Sequence, residues 1–348
     1  MLNKLSDYDF DLPKELIAQK PTEKRDNARL MVLHRNSGKI EHRRFYEIAD
    51  YLRPEDLLVL NNTKVIPSRI SGKKTHGAYV DLLFIEELEG NCWKALVKSN
   101  AALKKGERIY LDNADISAHL LGKHEDNSWI LQMENGADMK EIMNRVGKMP
   151  LPPYIKRPKK NNDFSALDAE RYQTVFAQKE GAIAAPTAGL HFSKNVLEKI
   201  KNLGADIAFV TLHVGLGTFL PIKTEEIHNH CMLKEYYEYP KELIQKIMHT
   251  KKRQGRVIAT GSTSCRVLET IALNSAAHQL SGYTGLFIHP PYQFKYVDIL
   301  ITNFHLPKTT LLLLVSAFAG REHILNAYEV AKNEGYRFYS YGDCMIII

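Results

Sequence analysis

The sequence predicts an α/β protein with an antiparallel β-rich segment in its first half. Three observations predict it. Apolar strand-like runs alternate with helix-period runs from Asp168 to the end, and short strands crowd together between Leu57 and Met149. Between them, Leu151-Pro152-Pro153-Tyr154-Ile155 and the polar run Lys156 to Asp163 mark a boundary, because consecutive prolines continue neither sheet nor helix. At 348 residues, 44% hydrophobic, the chain suffices for one large domain or two ordinary ones.

In order along the chain, Leu12 to Ile17 begins a short helix with an early proline, and Leu30 to Leu33 is a strand that returns through the Asn36-Ser37-Gly38 turn. Phe45 to Leu52 reads as helix. The segments Leu57 to Leu60, Val65 to Ile70, Val80 to Ile85, Trp93 to Val97, Arg108 to Leu111, Ile116 to Leu121 and Trp129 to Met133 are separated by Gly, Asn, Asp and Lys. That cadence predicts a small antiparallel barrel or sandwich.

In the second half, Gly181 to Phe219 stands out. Ala182 to Ala185 is a short apolar run closed by Pro186, Ser193 is a good N-cap, and Val196, Leu197, Ile200 and Leu203 make one helix face that ends at Gly204. Ile207 to Val214 is a β-branched strand. A strand, helix and strand so closely connected should pair parallel, with the loops PTAGLHF and HVGLGTF at one edge and His191 near His213. Later strands are expected at Arg256 to Thr260, Val297 to Ile301 and Tyr336 to Tyr341. They end in the polar loops Gly261 to Ser264, Thr302 to Pro307 and Gly342-Asp343, and an apolar helix covers Leu311 to Phe318.

Forty-seven basic against forty acidic side chains give a net charge of +7, which favours polyanionic partners such as nucleic acid. Basic clusters at Lys73-Lys74, Lys104-Lys105, Lys156 to Lys160 and Lys251 to Arg256 offer phosphate contacts, although solvated surface is the commoner use of such runs. The four cysteines lie far apart, against both a disulfide framework and a thiolate metal site. The first residues have no apolar core of signal-peptide length and the longest apolar run is too short to span a bilayer, so a soluble, cytoplasmic protein is expected.

Gly215-Leu216-Gly217 lacks the third glycine of a dinucleotide loop. A metal set drawn from His191, His213, His228, His230 and His305 has few carboxylates to complete it. Loop histidines at strand ends suit instead neutral bases near pH 7. Ser262-Thr263-Ser264-Cys265-Arg266 places hydroxyls and a guanidinium at a helix start, suited to a carboxylate or other anion. No GxSxG elbow is present.

These residues also carry a resemblance. The motifs PLPPYI, ERYQTVFA, GAIAAPTAGLHF, FVTLHVGLGTFLPI, GRVIATGSTSCRVLET, VDILITNFHLP and YRFYSYGDCM, with YDFDLPKELIAQKP and NNTKVIPSRI earlier, closely resemble the S-adenosylmethionine:tRNA ribosyltransferase-isomerases, the QueA family. The match runs from about Tyr8 to Met345. It departs from the family pattern at Leu233, where a histidine is usual, and at Pro291, where a glycine is usual.

The resemblance implies a layered α/β catalytic domain, residues 1–57 and 151–348, with a β-barrel of residues 58–150 inserted. It implies transfer and isomerisation of the ribosyl part of S-adenosylmethionine onto preQ1 at the wobble position of a tRNA, giving epoxyqueuosine and releasing adenine and methionine. S-adenosylmethionine is then a co-substrate, no metal or other cofactor is expected, and the partners are preQ1-containing tRNA and S-adenosylmethionine, acted on by a monomer with no membrane association. The chemistry needs a base at the carbon beside the sulfonium, an acid for adenine and a grip on the methionine carboxylate. His191 or His213 is the expected base, with Glu235, His305 and Asp343 as further proton-transfer or cation-holding groups. Arg266 with Thr263 is the expected carboxylate clamp. Phe192, Phe219 and Tyr341 are expected either to stack adenine or the deazaguanine or to belong to the core, and Thr187, Gly189, Gly215, Gly217 and Asn303 to line the substrate site. Arg69, Lys73, Lys74, Lys156 and Arg157 are the expected tRNA contacts.

Overall fold

A nine-stranded mixed sheet organises the larger part of the molecule. Its strands run in the order Ser281–Thr284, Glu235–Glu238, Asp206–Leu212, Leu57–Asn61, Val257–Thr260, Ile299–Asn303, Cys344–Ile347, Arg29–Leu33, Ile40–Arg44. The structure is a computed structural model that describes residues 3–124, 126–134, 136, 138–158, 164–215, 217, 222–274 and 279–348. The chain divides into two compact units: Met1–Lys64 with Pro153–Lys156 and Gln173–Ile348, and Val65–Pro152 with Arg157–Tyr172.

The four central strands, from Asp206–Leu212 to Ile299–Asn303, are mutually parallel. Being covered on both faces, they are apolar on both, as parallel strands must be. Leu57 and Val59 point into one core with the helices Glu242–Lys252, Gly261–Leu273, Thr310–Ala319 and Arg321–Asn333. Leu58 and Leu60 point into the other, with Phe45, Phe192, Val196 and Ile200. Cys344–Ile347 runs antiparallel to Ile299–Asn303, so its amino end meets the carboxyl ends of the parallel strands. One edge of the sheet thereby gathers the residues after Leu212, Asn61, Thr260 and Asn303 and those before Cys344.

Three sequence expectations change here. Leu57–Asn61, which the sequence groups with the short antiparallel strands, sits in the middle of the parallel sheet, and its complete burial is the physical reason. The expected strand–helix–strand pairing is replaced. Lys179–Ala182 forms a separate two-stranded sheet with Thr63–Val65, and the parallel neighbour of Asp206–Leu212 is Leu57–Asn61, distant in sequence. The last strand is Cys344–Ile347 rather than Tyr336 to Tyr341, because the aromatic segment turns back on itself while CMII is buried on both faces.

In the smaller unit, six strands close into a barrel in the order Trp129–Met133, Cys92–Ser99, Tyr79–Leu88, Arg69–Lys74, Arg108–Leu111, Ser117–Lys123. Alternation along each strand sends Ile70, Val80, Leu82, Phe84, Ile109 and Leu120 inward. Asp138 caps the helix Met139–Val146, whose Met139, Ile142 and Met143 join the same core.

Candidate active site

At the polar edge of the sheet the side chains fall into three groups. The first surrounds His213, which follows Asp206–Leu212. Its Nδ1 shares a hydrogen bond of 2.8 Å with Thr63 Oγ1, and its ring stacks on Tyr236 at 5.7 Å between centroids. Thr63 is placed by Asn61, whose Oδ1 accepts from the Thr63 amide at 3.0 Å and from the Leu212 amide at 3.1 Å. The other ring edge faces Gly181. A β-carbon there would stand 2.8 Å from Nε2, and the backbone at φ +142° also suits glycine. Partial burial lowers the imidazole pKa from 6.5, so His213 is neutral near pH 7.

The second group surrounds His191. Thr187 Oγ1 donates to Asn303 Oδ1 at 3.0 Å, and Asn303 Nδ2 donates to the Tyr339 carbonyl at 3.2 Å. The amide nitrogen therefore faces His191, and His191 Nε2 accepts from it at 3.0 Å. The Nε2 lone pair is occupied and Nδ1 carries the proton. Burial, with Arg337 and Arg25 nearby, lowers the His191 pKa to about 3. Tyr339 itself is held at φ +75°, its amide donating to the Phe304 carbonyl at 3.0 Å. A non-glycine residue in that region is strain retained by its surroundings, as is common at functional sites.

The third group joins Glu235 and Arg266. Arg266 lies on the helix Gly261–Leu273, so the polar run Gly261 to Ser264 is a first helical turn and not a free loop. Its Nη1 pairs with Glu235 Oε2, Nε donates to the Leu286 carbonyl at 2.9 Å and Nη2 to the Thr284 carbonyl at 3.3 Å. Glu235 Oε1 accepts from the Gly215 amide at 2.9 Å. The pair thus ties the loop after His213 to a helix start. Met232, Thr263, Arg266, Leu286 and Leu314 are among the residues lining a small cavity beside it. Thr263 Oγ1 is buried there with no hydrogen-bond partner among the described residues.

Several expected site residues are placed differently. His191 and His213 share the sheet edge but not a hydrogen-bond network among the described residues. Their anchors lie at the ends of strands two places apart, Asn303 as the last residue of Ile299–Asn303 and Thr63 two residues beyond Leu57–Asn61, a strand separation of roughly 10 Å. His305 is buried on the opposite face, its Nε2 bonded to Thr302 Oγ1 at 2.8 Å and its pKa lowered to about 3 by burial. Adjacent strand residues face opposite ways, which separates Thr302 and His305 from Asn303 and His191. Asp343 accepts from the amides of Arg29 and Arg337 at 2.9 and 2.8 Å, so this buried carboxylate organises backbone. Arg266 is committed to Glu235 and to carbonyls rather than held open as a clamp.

Phe192 is fully buried, edge-on to Phe45 at 4.9 Å, and Tyr341 is 4% exposed, so both are core residues. Phe219 lies outside the described residues. Gly189 packs on Thr174 and Phe176, and Gly217 on Leu233, where a β-carbon would come within 3.1 Å of the Leu233 β-carbon. Thr63 and Tyr236 escaped the sequence reading. The signal for Thr63 was the polar triplet Asn61-Asn62-Thr63 after four apolar residues, masked by assigning that strand to the barrel.

Among the expected tRNA contacts, Arg69 is held by both Asp81 oxygens, Lys74 pairs with Glu107 at 2.6 Å, and Arg157 grips Asp168 with two bonds of 2.8 and 2.7 Å. Lys73 and Lys156 are exposed. Among the described residues, no group of three or more His, Cys, Asp or Glu is placed to hold a metal ion, and no helix is long and apolar enough to cross a membrane.

Comparison with known proteins places these features. Residues 5–347 match the family described as queuosine biosynthesis protein. The chain is similar to the S-adenosylmethionine:tRNA ribosyltransferase-isomerase of Thermotoga maritima, 49% identical over 345 residues that cover 99% of this chain and 100% of the relative. A relative of the same name from Sulfurihydrogenibium is 50% identical over 346 residues, covering 99% of this chain and 100% of that protein. A solved structure of the Thermotoga maritima S-adenosylmethionine tRNA ribosyltransferase superposes with a TM-score of 0.57 at 41% identity, covering 98% of this chain and all of the other. A family match over almost every residue, with relatives of about half identity over their full length, makes this chain a member of the queuosine biosynthesis protein family.

Proposed function

We propose that this chain is a tRNA-modifying transferase-isomerase. It moves the ribosyl part of S-adenosylmethionine onto preQ1 at a tRNA wobble position, isomerises it to the epoxycyclopentane of epoxyqueuosine, and releases adenine and methionine. Family membership supports the reaction, and the setting of His213 is the structural observation that carries its assignment to a place. We further propose that the protein works in the cytoplasm as a monomer, with S-adenosylmethionine as co-substrate and no metal.

The sulfonium acidifies the hydrogens on the neighbouring ribose carbon, and a neutral imidazole is suited to remove one. His213 fits this role better than His191. With Nδ1–H donating to Thr63 Oγ1, His213 presents the Nε2 lone pair, whereas the corresponding lone pair of His191 is taken by Asn303. Loss of adenine then opens the sugar to the preQ1 amine, and ring closure expels methionine. His191, through Asn303 and Thr187, positions the short 3-10 helix Thr187–His191. Glu235, paired with Arg266, holds the backbone amide of Gly215. The methionine carboxylate falls to Thr263 Oγ1 and the amides of the helix start beside it, where the helix dipole favours an anion.

Purified protein incubated with preQ1-containing tRNA and S-adenosylmethionine in the presence of chelator should release adenine and yield tRNA with the mass of epoxyqueuosine. Adenine release that disappears with chelator and returns with a divalent metal would defeat the metal-free reading. No adenine under any condition would defeat the reaction.

A further inference from the structure

The outer face of the barrel carries a feature unrelated to the sheet edge. Arg69–Lys74 lies between two antiparallel neighbours, and its register places Lys73 opposite Tyr79 on one side and Tyr110 on the other. Same-face partners across such strands stand about 5 Å apart, so the two tyrosines flank the ammonium in a single row. Both are unusually exposed for large aromatic residues on a sheet, Tyr79 at 45% and Tyr110 at 42%. Both rings are also positioned. Tyr79 Oη shares a 3.1 Å hydrogen bond with Ser71 Oγ, and the Arg108 guanidinium lies 5.2 Å from the Tyr110 centroid.

Charge on this face is unbalanced. Asp81, Glu107 and Glu134 are each taken up by a cation of the barrel: Arg69, Lys74 and Arg108 respectively. Exposed Lys73, Lys98, Lys104 and Lys105 have no ion pair among the described residues, against two carboxylates that follow the Tyr110 strand, half-buried Asp112 and exposed Asp115. Fixed aromatic faces beside surplus ammonium groups are the chemistry that holds unpaired nucleotides, with bases stacking on the rings and phosphates meeting the lysines.

We infer that the Tyr79–Lys73–Tyr110 row is a docking platform for unstacked nucleotides of the tRNA. This rests on the proposed reading that tRNA is the substrate, and adds where and how part of it is gripped. The charge surplus favours RNA over a second copy of this chain, whose matching face would bring like charges together.

The test measures the Kd of the full-length protein for unmodified tRNA, together with adenine release from preQ1-tRNA. Tyr79→Ala and Tyr110→Ala should each weaken tRNA binding roughly tenfold, the magnitude of one lost base stack, and raise the KM for tRNA in step. The Phe variants, which keep the ring face, should bind within about twofold of wild type. Lys73→Ala should lower the slope of log Kd against log salt by about one, and the tyrosine variants should leave it unchanged.

Alanine variants that bind tRNA like wild type overturn the platform, as does dimerisation that these substitutions abolish while tRNA affinity is unmoved. If wild-type protein releases no adenine yet loses tRNA on tyrosine replacement, the platform stands and the proposed reaction falls. If adenine is released and the alanine variants bind unchanged, only the platform falls.

Discussion

Gly181 lies where a β-carbon would stand 2.8 Å from Nε2 of His213. Thr63 holds the ring at Nδ1, and the missing β-carbon of Gly181 leaves the space beside Nε2 uncrowded. This contact ties the short strand Lys179–Ala182 to the residue after the sheet strand Asp206–Leu212.

Gly181→Ala should therefore displace the imidazole. The backbone at φ +142° is strained for alanine as well, so both effects act in the same direction. Adenine release should fall about 100-fold, the scale of a misplacement near 1 Å, while the thermal midpoint drops by only a few degrees. Wild-type turnover in this variant would mean that the ring position does not matter.

If His213 is the base, its depressed pKa shapes the pH profile. The neutral form is active, and burial lowers the pKa from 6.5, so kcat/KM should hold below pH 6.5 and fall only as pH drops through the lower value. His213→Ala should cost 100-fold or more at pH 7. An acidic limb at or above pH 6.5 would point to another group.

The buried Arg266–Glu235 pair predicts a thermodynamic coupling. Arg266→Met leaves Glu235 as a buried lone charge and should cost about 3 to 5 kcal/mol, and Glu235→Leu a similar amount. The double variant should cost clearly less than the sum, read by urea denaturation. Simple additivity would show that the two side chains act separately.

His191 and His305 predict acid sensitivity of the fold. Each has a folded pKa of about 3 against 6.5 in the unfolded chain, which below pH 6.5 binds protons that the folded state refuses. Their neutral burial is fully tolerated above pH 6.5, and stability falls as pH drops from there towards 3, by about 1.4 kcal/mol per pH unit for each. Urea midpoints at pH 7.5 and 5 should separate widely for wild type and less for His305→Gln. Equal separation would refute the assignment.

The sequence by itself determined the fold class, the barrel cadence and the family. These follow from local periodicity, turn chemistry and contiguous motifs, all of which are written in short stretches of chain. Ser193 caps its helix as read, its Oγ accepting from the Val196 amide at 3.2 Å, and Arg108–Leu111 and Trp129–Met133 are strands with the bounds read from the sequence. Only the tertiary structure decided which polar residues meet. Whether Arg266 is open or paired depends on Glu235, 31 residues away, and whether His191 keeps its lone pair depends on Asn303, 112 residues away. Burial supplies the physical reason, since a histidine or arginine has one chemistry in a polar crevice and another when packing has already filled its hydrogen bonds. Strand order sets that burial, and in a parallel sheet the neighbours of a strand are chosen by contacts far apart in the chain.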